Sequence, residues 1–169
     1  MGNYINNLKI GDTINVEGPF GKFAYEAPGR ISVCPEYTSK TKKVADVKRV
    51  FFIAAGTGLT PIYQTLLDIV NNPNDKTEII LLFCNRKEHD IFLRKEIEAM
   101  QPRIKVVHML DDPSPEWKGL KGRVNPEVLN SVFPLNDKET FYVSCGPSAF
   151  SAAMKKIFEA YPQSKYFKI

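Results

Sequence analysis

From residue 48 onward, short blocks of consecutive apolar residues alternate with stretches in which apolar positions recur every three or four residues. A short apolar block reads as a strand covered on both faces, and the longer period reads as an amphipathic helix. VKRVFFIAA, TEIILLFCN, RIKVVHML and ETFYVSC are therefore expected as buried strands, with SKYFKI as a short last one. Four helices are expected between them. TPIYQTLLDIVNN places Ile62, Leu66, Ile69 and Val70 at helical spacing, with Pro61 in its first turn. HDIFLRKEIEAM places Ile91, Ile97 and Met100 near one face. NPEVLNSVF opens on a capping Asn125, and PSAFSAAMKKIFEAY has Pro147 in its first turn. This alternation predicts an α/β fold: a five-stranded parallel sheet with helices on both faces.

The first 46 residues differ in character. Ile14 and Val16, Phe23 and Tyr25, and Ile31 and Val33 alternate as in strands, separated by Gly-Pro, Gly-Lys and Pro-Gly turns. Two or three strands do not make a stable sheet alone. They must pack on the rest of the chain or belong to a larger β-domain. Thr38 to Lys43 reads as a polar, basic connector, so the expected division is residues 1–46 and 47–169.

Composition narrows the function. Over 169 residues, 43% apolar and 25% charged positions describe an ordinary globular domain, and the net charge of +4 lacks the basic stripe of a nucleic-acid binder. Val50 to Leu67 is broken by Gly-Thr-Gly and Pro61, so it is not expected to span a membrane. The opening residues lack the apolar core of a signal peptide. Cys34, Cys84 and Cys145 are widely spaced, and His89 and His108 are the only histidines. That pattern predicts reduced thiols in a cytoplasmic setting and no metal centre.

In a parallel sheet, ligands sit beyond the carboxyl ends of the strands, near the point where strand order reverses. Those ends carry Gly56-Thr57-Gly58, Asn85-Arg86, Asp111-Asp112 and Cys145-Gly146-Pro147. Gly56, Thr57 and Gly58 lead into a helix whose free amides suit a phosphate, with Thr57 or Thr60 as a hydroxyl donor. A tight turn capped by Thr60 is the structural alternative. Asp111 and Asp112 suit the hydroxyls of an adenosine ribose and repel a 2′-phosphate. Solvated loop acids are their alternative, and Lys121 and Arg123 complicate the charge balance. Cys145 is a candidate nucleophile, a small buried hydrophobe, or a shape-filling residue beside a flat ring.

Together these segments resemble the pyridine-nucleotide half of the ferredoxin-reductase superfamily, nearest to its NADH-cytochrome b5 reductase branch. IAAGTGLTP is similar to that family's Gly-Gly-Thr-Gly-Ile-Thr-Pro, and LLFCNRKEHDIFLRKEIE to the segment after its second strand. MLDDPSPEWKGLKGRVN resembles its Leu-Asp-x-x-Pro-x-x-Trp run, CGPSAF the start of Cys-Gly-Pro-Pro-Pro-Met, and YFKI its terminal strand. The resemblance implies that Gly56, Thr57, Gly58, Thr60 and Pro61 form the turn shared by the dinucleotide pyrophosphate and the flavin edge. It implies that Asp111 holds the ribose and selects NADH. Cys145, Gly146 and Pro147 would line the nicotinamide pocket, with Thr57 and Cys145 orienting the reacting ring, and Asn85 and Arg123 complete the cofactor-binding set. Ser148, Ala149 and Phe150 depart from the family pattern.

The resemblance further implies that residues 1–46 close a flavin-binding barrel. The family's Arg-x-Tyr-Thr-x-x-Ser flavin motif does not occur in this sequence. The expectation is an NADH-binding domain of a flavoprotein that passes electrons through FAD to a heme protein such as cytochrome b5, with the rest of the FAD domain supplied from outside these residues. This chain alone should bind NADH weakly and not turn over. The alternatives are the same module from a nitrate reductase or oxygenase reductase, or a non-catalytic nucleotide-binding or docking module. Lys40, Lys42 and Lys43 are candidates for steering an acidic partner. The expected location is cytoplasmic, or the cytosolic face of a membrane through an upstream anchor.

Overall fold

A computed structural model describes residues 2–18, 21–34 and 41–169 of the chain. A short helix, α1 (Gly2–Asn6), precedes an antiparallel sheet of β1 (Phe23–Ala27), β2 (Arg30–Val33) and β3 (Lys43–Asp46). The remainder runs β4 (Arg49–Ala55), α2 (Leu59–Asn71), β5 (Glu78–Asn85), α3 (Arg94–Glu98) and β6 (Lys105–Leu110). It continues β7 (Leu120–Lys121), α4 (Pro126–Val132), β8 (Thr140–Cys145), α5 (Ser148–Glu159) and β9 (Lys165–Lys168). The last six strands form one parallel sheet in the order β7-β6-β5-β4-β8-β9.

Successive side chains of a strand point to opposite faces, and the core follows that rule. Val50, Phe52 and Ala54 of β4, with Ile79, Leu81 and Phe83 of β5, pack on one face against Leu59, Ile62, Leu66 and Ile69 of α2. Phe51, Ile53, Ile80 and Leu82 pack on the other face, against Leu129 of α4 and Met154 and Phe158 of α5. Both faces are dry, which is why these strands read as continuous apolar runs. Each fully buried Leu, Ile or Phe contributes about 1.5–3 kcal/mol. The helices change face because the chain first runs outward from β4 through β5 and β6, then returns to β8 on the other side. Right-handed crossovers in opposite directions place α2 and α5 on opposite faces.

The structure departs from the sequence reading in four places. The sheet has a sixth member, the two-residue β7, which is too short to leave a hydrophobic period. The helix expected over 89–100 is broken into a 3-10 turn, Glu88–Asp90, and the five-residue α3. There the Asp90 carboxylate accepts from the Lys87 backbone N–H at 2.9 Å, a local bond that competes with helix. Leu93 then adopts a left-handed conformation (φ 53°), and Ile91 and Phe92 turn into the core. Ile14 and Val16 form no strand and are exposed, since neither pairs with another strand among the described residues. Of the expected connector, residues 38–40, including Lys40, lie outside the described residues, and Lys43 opens β3 rather than linking domains.

The small sheet packs on the main one. Ile31 is fully buried in the α2-side core, and Phe23 meets Phe52 edge-on with ring centroids 6.4 Å apart. A polar latch fixes the contact. The Tyr25 hydroxyl donates to Asp75 Oδ2 at 2.6 Å, lies 2.8 Å from Thr77 Oγ1, and accepts from the Gly29 N–H at 2.8 Å. Arg103 donates to the carbonyls of Asp75 and Thr77 and stands 3.7 Å from the Asp75 carboxylate. Burial pushes the Asp75 carboxyl up. The hydrogen bonds from Tyr25 and Thr77, with the Arg103 charge, outweigh that and leave it below the ordinary value.

A carboxyl whose folded pKa is depressed stabilises the fold above its unfolded pKa and loses that contribution as pH falls through the folded value. Acid should therefore weaken this latch below about pH 4. Tyr25→Phe should cost about 1–3 kcal/mol, because it strands the Gly29 N–H and removes a donor from a buried carboxylate. Urea melts at pH 7 and pH 3 check both points: the variant's deficit should shrink at the lower pH. A deficit that stays constant would show that Asp75 is not the partner that matters.

Candidate functional site

The strand order reverses between β4 and β8, and the loops beyond their carboxyl ends face one crevice of about 610 Å³. This is within the size range of small-molecule sites. Gly56, Thr57, Asn85, Asp111, Arg123 and Pro147, each singled out in the sequence, line it. Gly58, Thr60, Pro61, Cys145 and Gly146 do not. Gly58, Cys145 and Gly146 pack together where the turns after β4 and β8 meet, and Thr60 and Pro61 stand exposed in the first turn of α2.

The two glycines of Gly56-Thr57-Gly58 do different things. Gly56 has φ +50°, and a Cβ there would meet no atom within 4 Å, so its bare face opens on the crevice. Gly58 is buried, and a Cβ on it would lie 2.2 Å from the Cys145 carbonyl oxygen and 2.7 Å from the Gly146 nitrogen. It lets the turn after β4 touch the turn after β8. Gly146 is likewise confined: a Cβ on it would lie 2.7 Å from Phe150 Cδ1 and 2.9 Å from Ala55 Cβ. Thr60 does not cap α2. Its hydroxyl donates to the Thr57 carbonyl at 3.0 Å, and the helix starts at Leu59 without a side-chain cap. Pro61 sits in the exposed first turn of that helix.

Asn85, the last residue of β5, is 7% exposed, and neither its amide nitrogen nor its amide oxygen has a hydrogen-bond partner. Buried polar groups almost always find partners, and each one left alone costs about 1–3 kcal/mol. Both amide atoms are enclosed beside the crevice, and an unpartnered pair there is a candidate for satisfaction by a polar ligand. Across the crevice, α5 contributes Ala149, Phe150, Ala153 and Met154, a mostly apolar wall opposite the polar strand ends. Sequence reasoning missed Ala153 and Met154. Their spacing from Ala149 and Phe150, four residues on one helix face, was the available signal.

The rim is charged but balanced. Arg123 Nε lies 3.6 Å from Asp111 Oδ2, and Lys87 Nζ lies 3.5 Å from Asp112 Oδ2. Arg86, noted in the sequence at the end of β5 but given no role there, lines the crevice with no side-chain hydrogen bond or ion pair among the described residues. The thiols are quiet. Burial, with a smaller push from Asp111, raises the Cys84 pKa far above its ordinary value, and burial raises that of Cys145. Both are neutral at pH 7, so Cys145 fits a shape-filling role better than a nucleophilic one. Among the described residues no group of three or more His, Cys, Asp or Glu could hold a metal, and no helix is long and apolar enough to cross a membrane.

A parallel, doubly covered sheet with a glycine turn and a mixed apolar and polar crevice at its switch point is the arrangement of a dinucleotide-binding α/β domain. Comparison with known proteins makes this specific. The chain belongs to the oxidoreductase NAD-binding domain family, whose family model matches residues 52–156. Its fold is that of the ferredoxin-reductase superfamily, in the form found in the cytochrome b5 reductase domain. The structure of that domain in Ulva prolifera nitrate reductase superposes with a TM-score of 0.86 at 34% identity, covering 99% of this chain and 64% of that one. In sequence, the chain is 40% identical over 144 residues to the NADH nitrate reductase of Ulva prolifera, covering 83% of this chain and 16% of that protein. It is 36% identical over 157 residues to NADH-cytochrome b5 reductase 1 of Dictyostelium discoideum, covering 91% and 49% respectively. The chain thus spans about half the length of that reductase.

Proposed function

We propose that this chain is the NADH-binding part of a flavoprotein oxidoreductase that passes electrons from NADH through FAD to a heme protein such as cytochrome b5. The observation that carries the nucleotide reading is Asn85, a buried amide without partners on the wall of the crevice. The relatives named NADH-cytochrome b5 reductase and NADH nitrate reductase support the electron-transfer reading.

In this reading the pyrophosphate lies at the Gly56–Thr57 turn, where the bare glycine face and the exposed threonine hydroxyl admit it. Asp111 accepts from the adenosine ribose hydroxyls, and the α5 wall keeps water from one side of the ligand. The nicotinamide end lies toward Pro147, with Cys145 and Gly146 filling space behind it. When bound, NADH supplies a hydride from its nicotinamide C4, and these residues orient that ring rather than exchange protons with it.

The described residues do not themselves make a flavin site. Residues 2–18 contribute no buried side chain, and Tyr4, Ile5, Ile10 and Val16 stand largely in solvent. The small sheet offers three strands, with β1 and β3 both at its edges. We therefore assign residues 1–46 to a barrel completed by other polypeptide, and residues 47–169 to NADH. The FAD-binding part adjoins these residues, and Lys42 and Lys43 are, of the three connector lysines, the two among the described residues that could face an acidic heme protein.

Calorimetric titration of the chain with NADH at low salt tests the reading. Binding should be measurable but weak, and Asp111→Ser should weaken it by about tenfold, the effect of losing one charge-assisted hydrogen-bond acceptor. No heat from a chain shown to be folded would reject the NADH assignment. Purification with stoichiometric flavin would reject the incomplete-barrel half of the reading.

A further inference from the structure

Two residues before the end of β6, one imidazole stands buried without a partner. The His108 side chain is 10% exposed, and neither ring nitrogen makes a hydrogen bond among the described residues. Buried polar groups are rarely left so. The ring packs near Phe83 of β5, with centroids 6.1 Å apart, and its Nε2 stands 3.5 Å from Glu98 Oε1 of α3. That same oxygen accepts from Arg94 Nε at 2.9 Å. Burial lowers the His108 pKa. Glu98 pulls it back up, the Arg94 charge pushes it down, and the balance leaves it below the ordinary histidine value. These two side chains of α3 are the charged groups that act on it, and β5 turns only Phe83 toward it. The imidazole is therefore neutral at pH 7, and Arg94 keeps the carboxylate.

Arg94 ties together two segments of the crevice rim. Its Nη1 donates to Glu88 Oε1 at 2.7 Å, in the 3-10 turn that leads into Asp90 and Phe92, and both of those residues line the crevice. Its guanidinium carbon lies 6.0 Å from the centre of the Trp117 ring, within reach of a cation–π contact. Trp117 belongs to the other segment, which runs between Asp111 and Arg123, two further lining residues. Its Nε1–H donates to the Leu120 carbonyl at 3.0 Å, and a Cβ on Gly119 would lie 2.6 Å from its Cζ2. The loop before β7 is thus wound on the indole, and Arg94 sits over that indole while it holds Glu88.

We infer that His108, Glu98 and Arg94 form a proton-operated clasp on the crevice rim, in which a proton taken up by His108 transfers the Glu98 carboxylate from Arg94 to the imidazolium and loosens the hold of Arg94 on Trp117. A buried imidazolium needs a partner, and the oxygen 3.5 Å away is the acceptor at hand. Arg94 is then left with Glu88 alone. The folded chain takes up this proton less readily than the unfolded chain, so acid costs stability from about pH 6.5 downward. That range lies above the one in which the Asp75 latch weakens, about pH 4 and below. The clasp acts in the ligand-free chain and does not depend on which ligand fills the crevice.

The test follows two NMR signals of the folded, ligand-free chain from about pH 8 to about pH 5, a range that brackets the ordinary histidine value. One is the His108 ring, distinguished from the other histidine by the signal lost in His89→Gln; the other is the indole N–H of Trp117, the chain's one tryptophan. Both signals should move together, with a common midpoint below about pH 6.5. In His108→Gln the indole movement should vanish. In Glu98→Gln the His108 midpoint should fall further, because the imidazolium has lost its acceptor, and the indole should no longer follow it. In Arg94→Gln the His108 midpoint should rise, because a repelling charge is gone. An indole signal that stays still while His108 titrates in the natural chain would overturn the clasp. So would an indole movement that persists in His108→Gln, or a His108 midpoint that Glu98→Gln leaves unchanged. A His108 ring that stays neutral until the chain unfolds would overturn it as well.

Discussion

Gly58→Ala is expected to cost about 2–3 kcal/mol of stability, and to disturb nucleotide binding only as a consequence of that damage. Its methyl group would be placed 2.2 Å from the Cys145 carbonyl oxygen and 2.4 Å from its carbonyl carbon. Both are backbone atoms at the end of a central strand, and no rotamer change can move them aside. Either the β4 turn or the β8 turn must retreat, and each is tied to a buried strand whose neighbours are in register on both sides. Urea denaturation of the variant should show a lower midpoint with an unchanged slope. A midpoint matching the natural chain would mean that the two turns are not in contact.

Gly56→Ala is the informative comparison, because its Cβ meets nothing within 4 Å. Its penalty is confined to the left-handed backbone, roughly 1–2 kcal/mol for a non-glycine residue. The added methyl would face the crevice. The two substitutions therefore separate a glycine required by packing from one required by approach of a ligand, although they stand two residues apart in one motif.

That separation was not legible in the sequence. Gly-Thr-Gly after an apolar strand announces a tight turn, and both glycines looked equally suited to a phosphate. Which one faces the ligand depends on what the rest of the chain brings against the turn, here Cys145 and Gly146 from 87 or more residues away. The parallel sheet was legible because burial on both faces leaves unbroken runs such as Val50–Ala55 and Ile79–Cys84. The strand-end residues Asn85 and Asp111 followed from the rule that such sheets bind at their carboxyl ends. The helix expected over 89–100 misled because Ile91, Ile97 and Met100 are all buried, as a helix would bury them, while Asp90 and Leu93 divert the backbone between them. Arg86 was placed at the end of β5 by the same strand-end rule but given no role, because a single exposed arginine leaves no pattern in the sequence.

Asn85→Leu should move stability and binding in opposite directions. In the free protein, the Asn85 amide is buried with two unpartnered polar atoms, so a side chain of similar size without polar atoms should raise stability by about 1–2 kcal/mol. The same substitution removes the donor and acceptor offered to the ligand. NADH affinity should fall by about tenfold or more, equivalent to roughly 1.4 kcal/mol for each factor of ten. Most substitutions in a core lower stability and binding together, because a damaged fold presents a damaged site. A residue retained for a ligand shows the opposite signature, since the free protein bears its desolvation and only the complex is relieved of it. Paired urea melts and calorimetric titrations of the natural chain and the variant check this. Lower stability in the variant would show that the amide is already satisfied in the free protein. Unchanged affinity would remove Asn85 from the site, and with it the observation on which the nucleotide reading chiefly stands.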